Sequence, residues 1–230
     1  KITVSERDMA KSLYFYPLVG FLIGGILYFL AYWGQTISLG KGTDAVIIVV
    51  WIIVTGGLHL DGLMDLADGI FSGKERQIKL GIMKDSRVGA MGVMAFGVIL
   101  LLKFAFLPLL EYPDKRWVLL IAPAIGRSIM VYSIVFYNYA RSGSGLGRIF
   151  GEEIGKSKFW GAALILLAGG FLLAETTGLL VIIATFLIGI IIVAWIGKVL
   201  GGQTGDTYGA ICEITETLFI IIAVIAVALQ

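Results

Sequence analysis

Charge and cysteine are both scarce in this chain. Only 15% of its 230 residues are charged, against about 25% in soluble domains. That shortage, beside 58% hydrophobic residues, excludes an ordinary soluble globule and leaves a membrane protein. The single cysteine, Cys212, excludes an internal disulfide and any C-x-x-C metal or redox motif. A net charge of +2 gives no reason to expect a nucleic-acid partner. There is no Walker loop, no G-x-G-x-x-G after a strand and no internal repeat, so nothing favours a repeat-built transporter. No cleavable signal peptide is visible. The start at Lys1 rather than Met carries the expectation that an N-terminal piece is missing.

What is there is a series of apolar runs. They approach 20 residues and lack the alternation of a barrel, so they are read as helices. The expected fold class is all-α: a polytopic transmembrane helical bundle, one domain over 1–230. Seven spans are read, at 13–33, 45–66, 90–110, 117–138, 159–175, 178–198 and 207–229. The fifth and sixth, separated by "AETTG", form either a tight hairpin or one re-entrant feature, so the count is six to seven. Basic residues set the orientation. The loops on one side hold only Lys41, Lys115 and Arg116, and Lys103 and Arg127 lie inside spans. Every other basic residue falls on the opposite side, which is therefore cytoplasmic, with the N-terminus inside and the C-terminus outside. "GFLIG", Gly20 to Gly24, has the spacing of a small-residue packing face, though glycine is common in membrane helices anyway. Segment 148–158 reads as a short interfacial helix or loop.

The polar residues are concentrated. "HLDGLMDLADG" sets Asp61, Asp65 and Asp68 at i, i+4 and i+7, within an arc of roughly 60° on a helix. Three carboxylates on one stripe near lipid repel each other unless a cation binds there. As hard oxygen ligands they suit Mg²⁺, Mn²⁺ or Ca²⁺; the bland alternative is a solvated helix end. His59 points about 200° away from Asp61 and could bond a phosphate, transfer a proton or merely snorkel. Lys84-Asp85-Ser86-Arg87 adds one carboxylate with flanking cations suited to phosphate oxygens. "ARSGSGLGR", from Ala140 to Arg148, is either a backbone nest for an anion or a flexible linker, with Arg141 at its start. "GGQTGDTYGAICEITETL" opens on a glycine-rich turn, and a helix N-terminus attracts anions. Glu213 and Glu216 lie about 10 and 15 Å beyond Asp206 along that helix, so they must face the bundle interior. Arg127, mid-span, needs a carboxylate partner, and these two acids are the best candidates. Lys103 is similarly placed but can snorkel more easily. All these clusters fall at the cytoplasmic ends of spans, which marks a cation-dependent phosphate site opening toward the cytoplasm.

Five stretches carry a resemblance to a known family: "YFYPLVGFLIG" (14–24), "GGLHLDGLMDLADG" (56–69), "IMKDSRVGAMG" (82–92), "YARSGSGLG" (139–147) and "GGQTGDTYGAICEITE" (201–216). In this order they resemble the cobalamin-5′-phosphate synthase, or adenosylcobinamide-GDP ribazoletransferase, family. Asn138 departs from it, standing where members often have proline before "YAR". The resemblance implies a Mg²⁺-dependent integral transferase of the cell (inner) membrane, acting late in cobalamin biosynthesis. It would join adenosylcobinamide-GDP to α-ribazole or its 5′-phosphate, giving adenosylcobalamin or its 5′-phosphate and GMP. On that basis Asp61, Asp65, Asp68 and Asp85 hold one or two Mg²⁺ ions. Asp68 is the first candidate base, His59 the second and Asp85 the third. Lys84, Ser86, Arg87, Arg141, Gly202, Thr204, Gly205 and Asp206 hold phosphate or substrate, and Arg127, Glu213 and Glu216 form buried polar support. The sequence leaves homo-oligomerisation open. A CDP-alcohol phosphotransferase is the enzymatic alternative, although only Asp61-Gly62 echoes the opening of its motif. A cation transporter is the other class; the crowding of polar residues on one face argues against it.

Overall fold

Gly20 and Gly24 decide how the first long helix packs. They lie on α2 (Tyr16–Thr36), which follows a short α1 (Glu6–Ser12) and a 3₁₀ turn at Leu13–Phe15. A methyl group at Gly20 would collide with the main chain of Pro123 and Ala124, and one at Gly24 with the carbonyls of Leu119 and Leu120. Those four residues belong to α7 (Asp114–Phe136), so the two helices touch backbone to backbone along the small-residue face. Pro123 removes the amide that would have bonded the Leu119 carbonyl, and Gly24 lies against that freed carbonyl. The structure, a computed structural model, describes residues 6–141 and 155–230. Most of segment 148–158 and the glycine–serine stretch after Arg141 lie outside the described residues.

The expected second span, 45–66, is not one straight helix. It is α3 (Lys41–Val54) and α4 (Leu58–Phe71), bent by 85° between them. Thr55 ends α3, and Gly56 and Gly57 then take φ of 63° and 68°, the left-handed region that glycine enters without strain. The polar stripe survives this correction because all three aspartates lie within α4. A short α5 (Arg76–Ile82) precedes α6 (Ala90–Phe106).

The stretch Ser157–Leu200, α8, is helical over 44 residues except at Ala174 and Glu175, where Glu175 has φ 49°. In a straight helix Phe159 and Phe186 would stand about 40 Å apart. Their ring centroids are 6.0 Å apart. Gly170 also meets Ile182, and the Gly178 Cα side faces the Gly170 carbonyl. The helix therefore doubles back, and arms 157–173 and 176–200 form the tight hairpin of the two readings. The last helix, α9 (Gly205–Ala228), runs back to the hairpin tip, where Gln230 donates to the Thr177 hydroxyl at 2.8 Å.

Among the described residues, five helices are long and apolar enough to cross a membrane, or six with the bent pair taken as one span. The hairpin splits one of these into two arms. Large exposed side chains such as Leu22, Leu101, Leu164 and Leu172 clothe the outside, as lipid contact requires. One apolar core lies between α2, α3, α7 and α9, around Leu27, Ile47, Ile121 and Phe219. A second, around Leu63, Ile99, Ile129, Val193 and Ile211, joins α4, α6, α7, α8 and α9. The bundle has two ends. One gathers the α2–α3 and α6–α7 connections; the other gathers α5, the end of α7 and the α8–α9 turn.

Candidate active site

α4 is amphipathic in an unusual sense: one face is Leu60, Leu63, Leu66 and Ala67, all buried, and the other is Asp61, Asp65 and Asp68. Two glycines let it sit directly on its neighbour. Gly62 touches the Asp206 main chain, and Gly209 of α9 touches the His59 main chain. The start of α9 is thereby fixed beside the aspartate stripe.

That start is capped reciprocally. The Thr204 hydroxyl accepts from the Thr207 amide at 3.2 Å, and the Thr207 hydroxyl accepts from the Thr204 amide at 2.8 Å. Before it, Gly201 and Gly202 take φ of 69° and 142°. The turn they allow is pinned from two directions. The Gln203 amide donates to the Asn138 carbonyl at 2.9 Å, and the Ala140 amide donates to the Gln203 carbonyl at 2.7 Å. Arg76 of α5 donates to the Leu200 carbonyl at 2.6 Å and to the Ala140 carbonyl at 3.0 Å. The next residue after Ala140 is Arg141, which donates to Asp206 at 2.6 Å. Arg76 and Gln203 were not singled out in the sequence. Nothing local marks them, because a basic residue on this side of the membrane is already explained by topology and a glutamine in a polar turn is ordinary.

The result is a cluster from three parts of the chain. Asp61 is exposed, Asp65 is half-buried, and Asp65 lies in the combined field of Asp206, Asp61, Arg141 and Asp68. Asp68 also anchors a neighbouring helix. Its two oxygens accept from the Gly89 and Gly92 amides, each at 2.8 Å, at the N-terminus of α6. Both glycines lie tight against its carboxylate. Asp85 is held by Arg87, which gives it three side-chain hydrogen bonds and one from its amide. Those bonds hold the Asp85 carboxyl down at about 2. Lys84, Ser86 and the Arg87 side chain are exposed on the same loop.

His59 takes no part in the stripe. Its Nδ1 is buried without a hydrogen-bond partner and lies with Cys212 and Glu216 in a group whose ligand atoms fall within 4.8 Å of one another. This is a poor cation site, because the two Glu216 oxygens already receive Arg127 at 2.8 Å and Lys103 at 3.4 Å. Lys103 also pairs with Glu213 at 2.7 Å. Arg127 therefore meets the partner expected of it. Lys103 does not snorkel: it is 4% exposed, stacked 4.2 Å from the Trp51 ring centroid and inserted between the two acids. The quartet is neutral and joins α6, α7 and α9.

The donor set on the outer stripe is all oxygen, which fits a hard divalent cation. Mg²⁺ is commonly held by one or two carboxylates, with substrate phosphates and waters completing the shell. Asp61 and Asp65 meet that description better than Asp68, Asp85 or Asp206, whose oxygens accept from the Gly89 and Gly92 amides, from Arg87 and from Arg141.

The family model for cobalamin-5-phosphate synthase matches residues 1–224. The chain belongs to that family. Among its relatives, the adenosylcobinamide-GDP ribazoletransferase of Desulforamulus reducens is 48% identical over 212 residues, covering 92% of this chain and 85% of the relative. That of Herpetosiphon aurantiacus is 43% identical over 232 residues, covering 98% and 89%. That of a Roseiflexus species is 39% identical over 218 residues, covering 94% and 80%. No solved structure matches. In this synthase-family chain the capped α9 start, the α4 stripe and the Arg141–Asp206 pair lie at one end of the bundle, where a phosphate-bearing substrate could meet a cation and an arginine together.

Proposed function

We propose that the chain transfers the corrinoid phosphoryl group of adenosylcobinamide-GDP to α-ribazole or its 5′-phosphate, with Mg²⁺ as cofactor and release of GMP. The observation that carries this reading is the meeting of Asp61, Asp65, Asp206 and Arg141 at the capped start of α9. Carboxylates there would hold the cation, and Arg141 with the first amides of α9, at Gly205 and Asp206, would hold phosphate oxygens, because the amides of 202–204 are already bonded to Gly197, Asn138 and Thr207. When bound, Mg²⁺ supplies neutralisation of the charge that develops on departing GMP.

The chain's own residues account for the rest. Lys84 and Arg87 sit on a loop within the same end of the bundle, and the two cations would draw in the pyrophosphate. The ribazole 3′-hydroxyl forms the new P–O bond at the phosphorus nearer the corrinoid, the P–O bond to GMP breaks, and the hydroxyl proton passes to a base. Asp68 remains the best-held candidate: the Gly89 and Gly92 amides fix its carboxylate and leave each oxygen a further lone pair. His59 faces the buried quartet instead, and Asp85 is occupied by Arg87. The site is proposed to face the cytoplasm, as the basic loops require.

Purified protein in detergent, given adenosylcobinamide-GDP and α-ribazole 5′-phosphate, should release GMP with Mg²⁺ and stop with EDTA. Undiminished turnover in EDTA would remove the metal from the reading. Release of GDP in place of GMP would place the attack elsewhere.

A further inference from the structure

The end of the bundle opposite the acids contains a cleft of about 480 Å³. Its polar lining comes from Gln35 in the last turn of α2 and Ser38 after it, Lys41 and Asp44 at the start of α3, and Tyr112 and Lys115 before and in α7. This is where charge is least expected. Among the described residues this end carries only three basic residues, Lys41 in the first turn of α3 and Lys115 and Arg116 in the first turn of α7, and two of them line one cavity. Asp44 is 3% exposed and accepts from Lys115 at 2.9 Å, so that pair is built into the floor. Lys41 is exposed. Two lysines against one aspartate leave the cleft a single positive charge.

Its depth in the membrane can be read from the aromatic side chains beside it. Tyr32 and Trp33 are 52% and 59% exposed on the last turns of α2, and Tyr28 and Tyr112 share a hydroxyl hydrogen bond of 2.6 Å. Exposed tryptophan and tyrosine collect at the headgroup level of a bilayer. A volume of this size accommodates a small polar ligand. We propose that the cleft binds the headgroup of an anionic phospholipid. Its phosphodiester, with one negative charge, meets Lys41 and the outer side of Lys115. The hydroxyls of a glycerol headgroup meet Gln35 and Ser38. The site is separate from the proposed chemistry, and its test does not need activity.

Delipidated full-length protein in detergent is titrated with phosphatidylglycerol, phosphatidylethanolamine or soluble glycerol phosphate, and followed by native mass spectrometry and thermal melting. Phosphatidylglycerol is expected to be retained and to raise the melting point by about 5 °C at saturation, because a ligand that binds only the folded state stabilises it. Phosphatidylethanolamine and glycerol phosphate should shift it by less than about 1 °C. Lys41→Glu should leave the lipid-free melting point in place, cut retention about tenfold or more and abolish the shift, by about one lost charge-assisted contact. Lys41→Gln gives the same comparison if the reversed charge disturbs folding. Equal responses to both lipids, or a response untouched by either Lys41 variant, would show lipid bound around the aromatic belt and overturn the assignment. The full shift from glycerol phosphate alone would make the ligand a soluble phosphate ester, which also overturns it.

Discussion

Asp61 and Asp65 stand one turn apart on α4, both with solvent access, and Asp65 lies in the field of both Asp61 and Asp206. A bound Mg²⁺ would lower a phosphoryl-transfer barrier by several kcal/mol, loss of a charged oxygen ligand would forfeit part of that, and each 1.36 kcal/mol is about a factor of ten. Asp65→Asn keeps the shape and deletes the charge, so GMP release should fall about a hundredfold or more while the melting point stays or rises. A variant that keeps near-normal turnover would take Asp65 out of the metal site. Asp85 tests a different idea. Its folded value near 2 lies below the ordinary carboxylate value of about 3.9. The folded state therefore favours the charged form, and the Arg87 contact is complete above about pH 4 and lost as pH falls toward 2. Carboxyl NMR of ¹³C-labelled protein should show Asp85 titrating near 2, returning to the ordinary range in Arg87→Ala. No step in the activity profile between pH 5 and 9 should belong to Asp85, and a step removed by Asp85→Asn would contradict this.

Helices carry the next level of cause. The stripe on α4 was legible because i, i+4 and i+7 is local geometry, and it held even though the span around it bends by 85°. The small-residue face Gly20 to Gly24 was legible for the same reason. The need of Arg127 for an acid followed from the cost of a lone cation in lipid, which leaves few choices. The bend at Gly56-Gly57, the fate of Lys103 and the bonding of Asp68 to α6 were not legible, because each depends on which helix lies opposite. Lys103 was free to snorkel as far as the sequence went; the placement of Glu213, Glu216 and Trp51 against α6 holds it inside. Removing one member of such a network leaves a buried charge uncompensated, at about 3–5 kcal/mol, whereas removing a pair does not. Lys103→Met and Glu213→Leu should therefore each lower the melting point more than the double variant does. Additive losses would mean the contacts act independently. Arg76 supplies the other element-level prediction. Its two carbonyl contacts hold α5 to the turn that carries Arg141 and Asp206. Hydrogen bonds from a charged donor contribute about 1.5–3 kcal/mol each, so Arg76→Ala should cost roughly tenfold or more in turnover. Added guanidinium should restore part of it; a loss of melting point with no rescue would make Arg76 merely structural.

At the scale of the molecule, the bundle separates its chemistry by end. The α4 stripe, the Lys84–Arg87 loop, Arg141 and the α8–α9 turn share one end, while Asp44, Lys115 and the cleft mark the other. Arms 157–173 and 176–200 fold back on each other, and α9 returns to the hairpin tip, so the start of α9 and the end of the chain stand on opposite sides. Basic loop residues crowd the acid-bearing end, the distribution that retains a loop in the cytoplasm. On the proposed reaction, soluble GMP would then leave directly into the cytoplasm, and the corrinoid would stay at the membrane surface. Cysteine labelling tests this arrangement without reference to catalysis. In a background with Cys212 replaced by alanine, a cysteine at Ser72 should be silent to an impermeant maleimide in intact cells and react after lysis. A cysteine at Ser38, on the connection between α2 and α3, should react from outside. Both residues have solvent access, half-buried and exposed respectively, so silence at either reports sidedness rather than burial once lysed cells serve as the control. Labelling of Ser72→Cys from the outside, with Ser38→Cys protected, would invert the bundle and place the proposed site on the wrong side of the membrane for its nucleotide product.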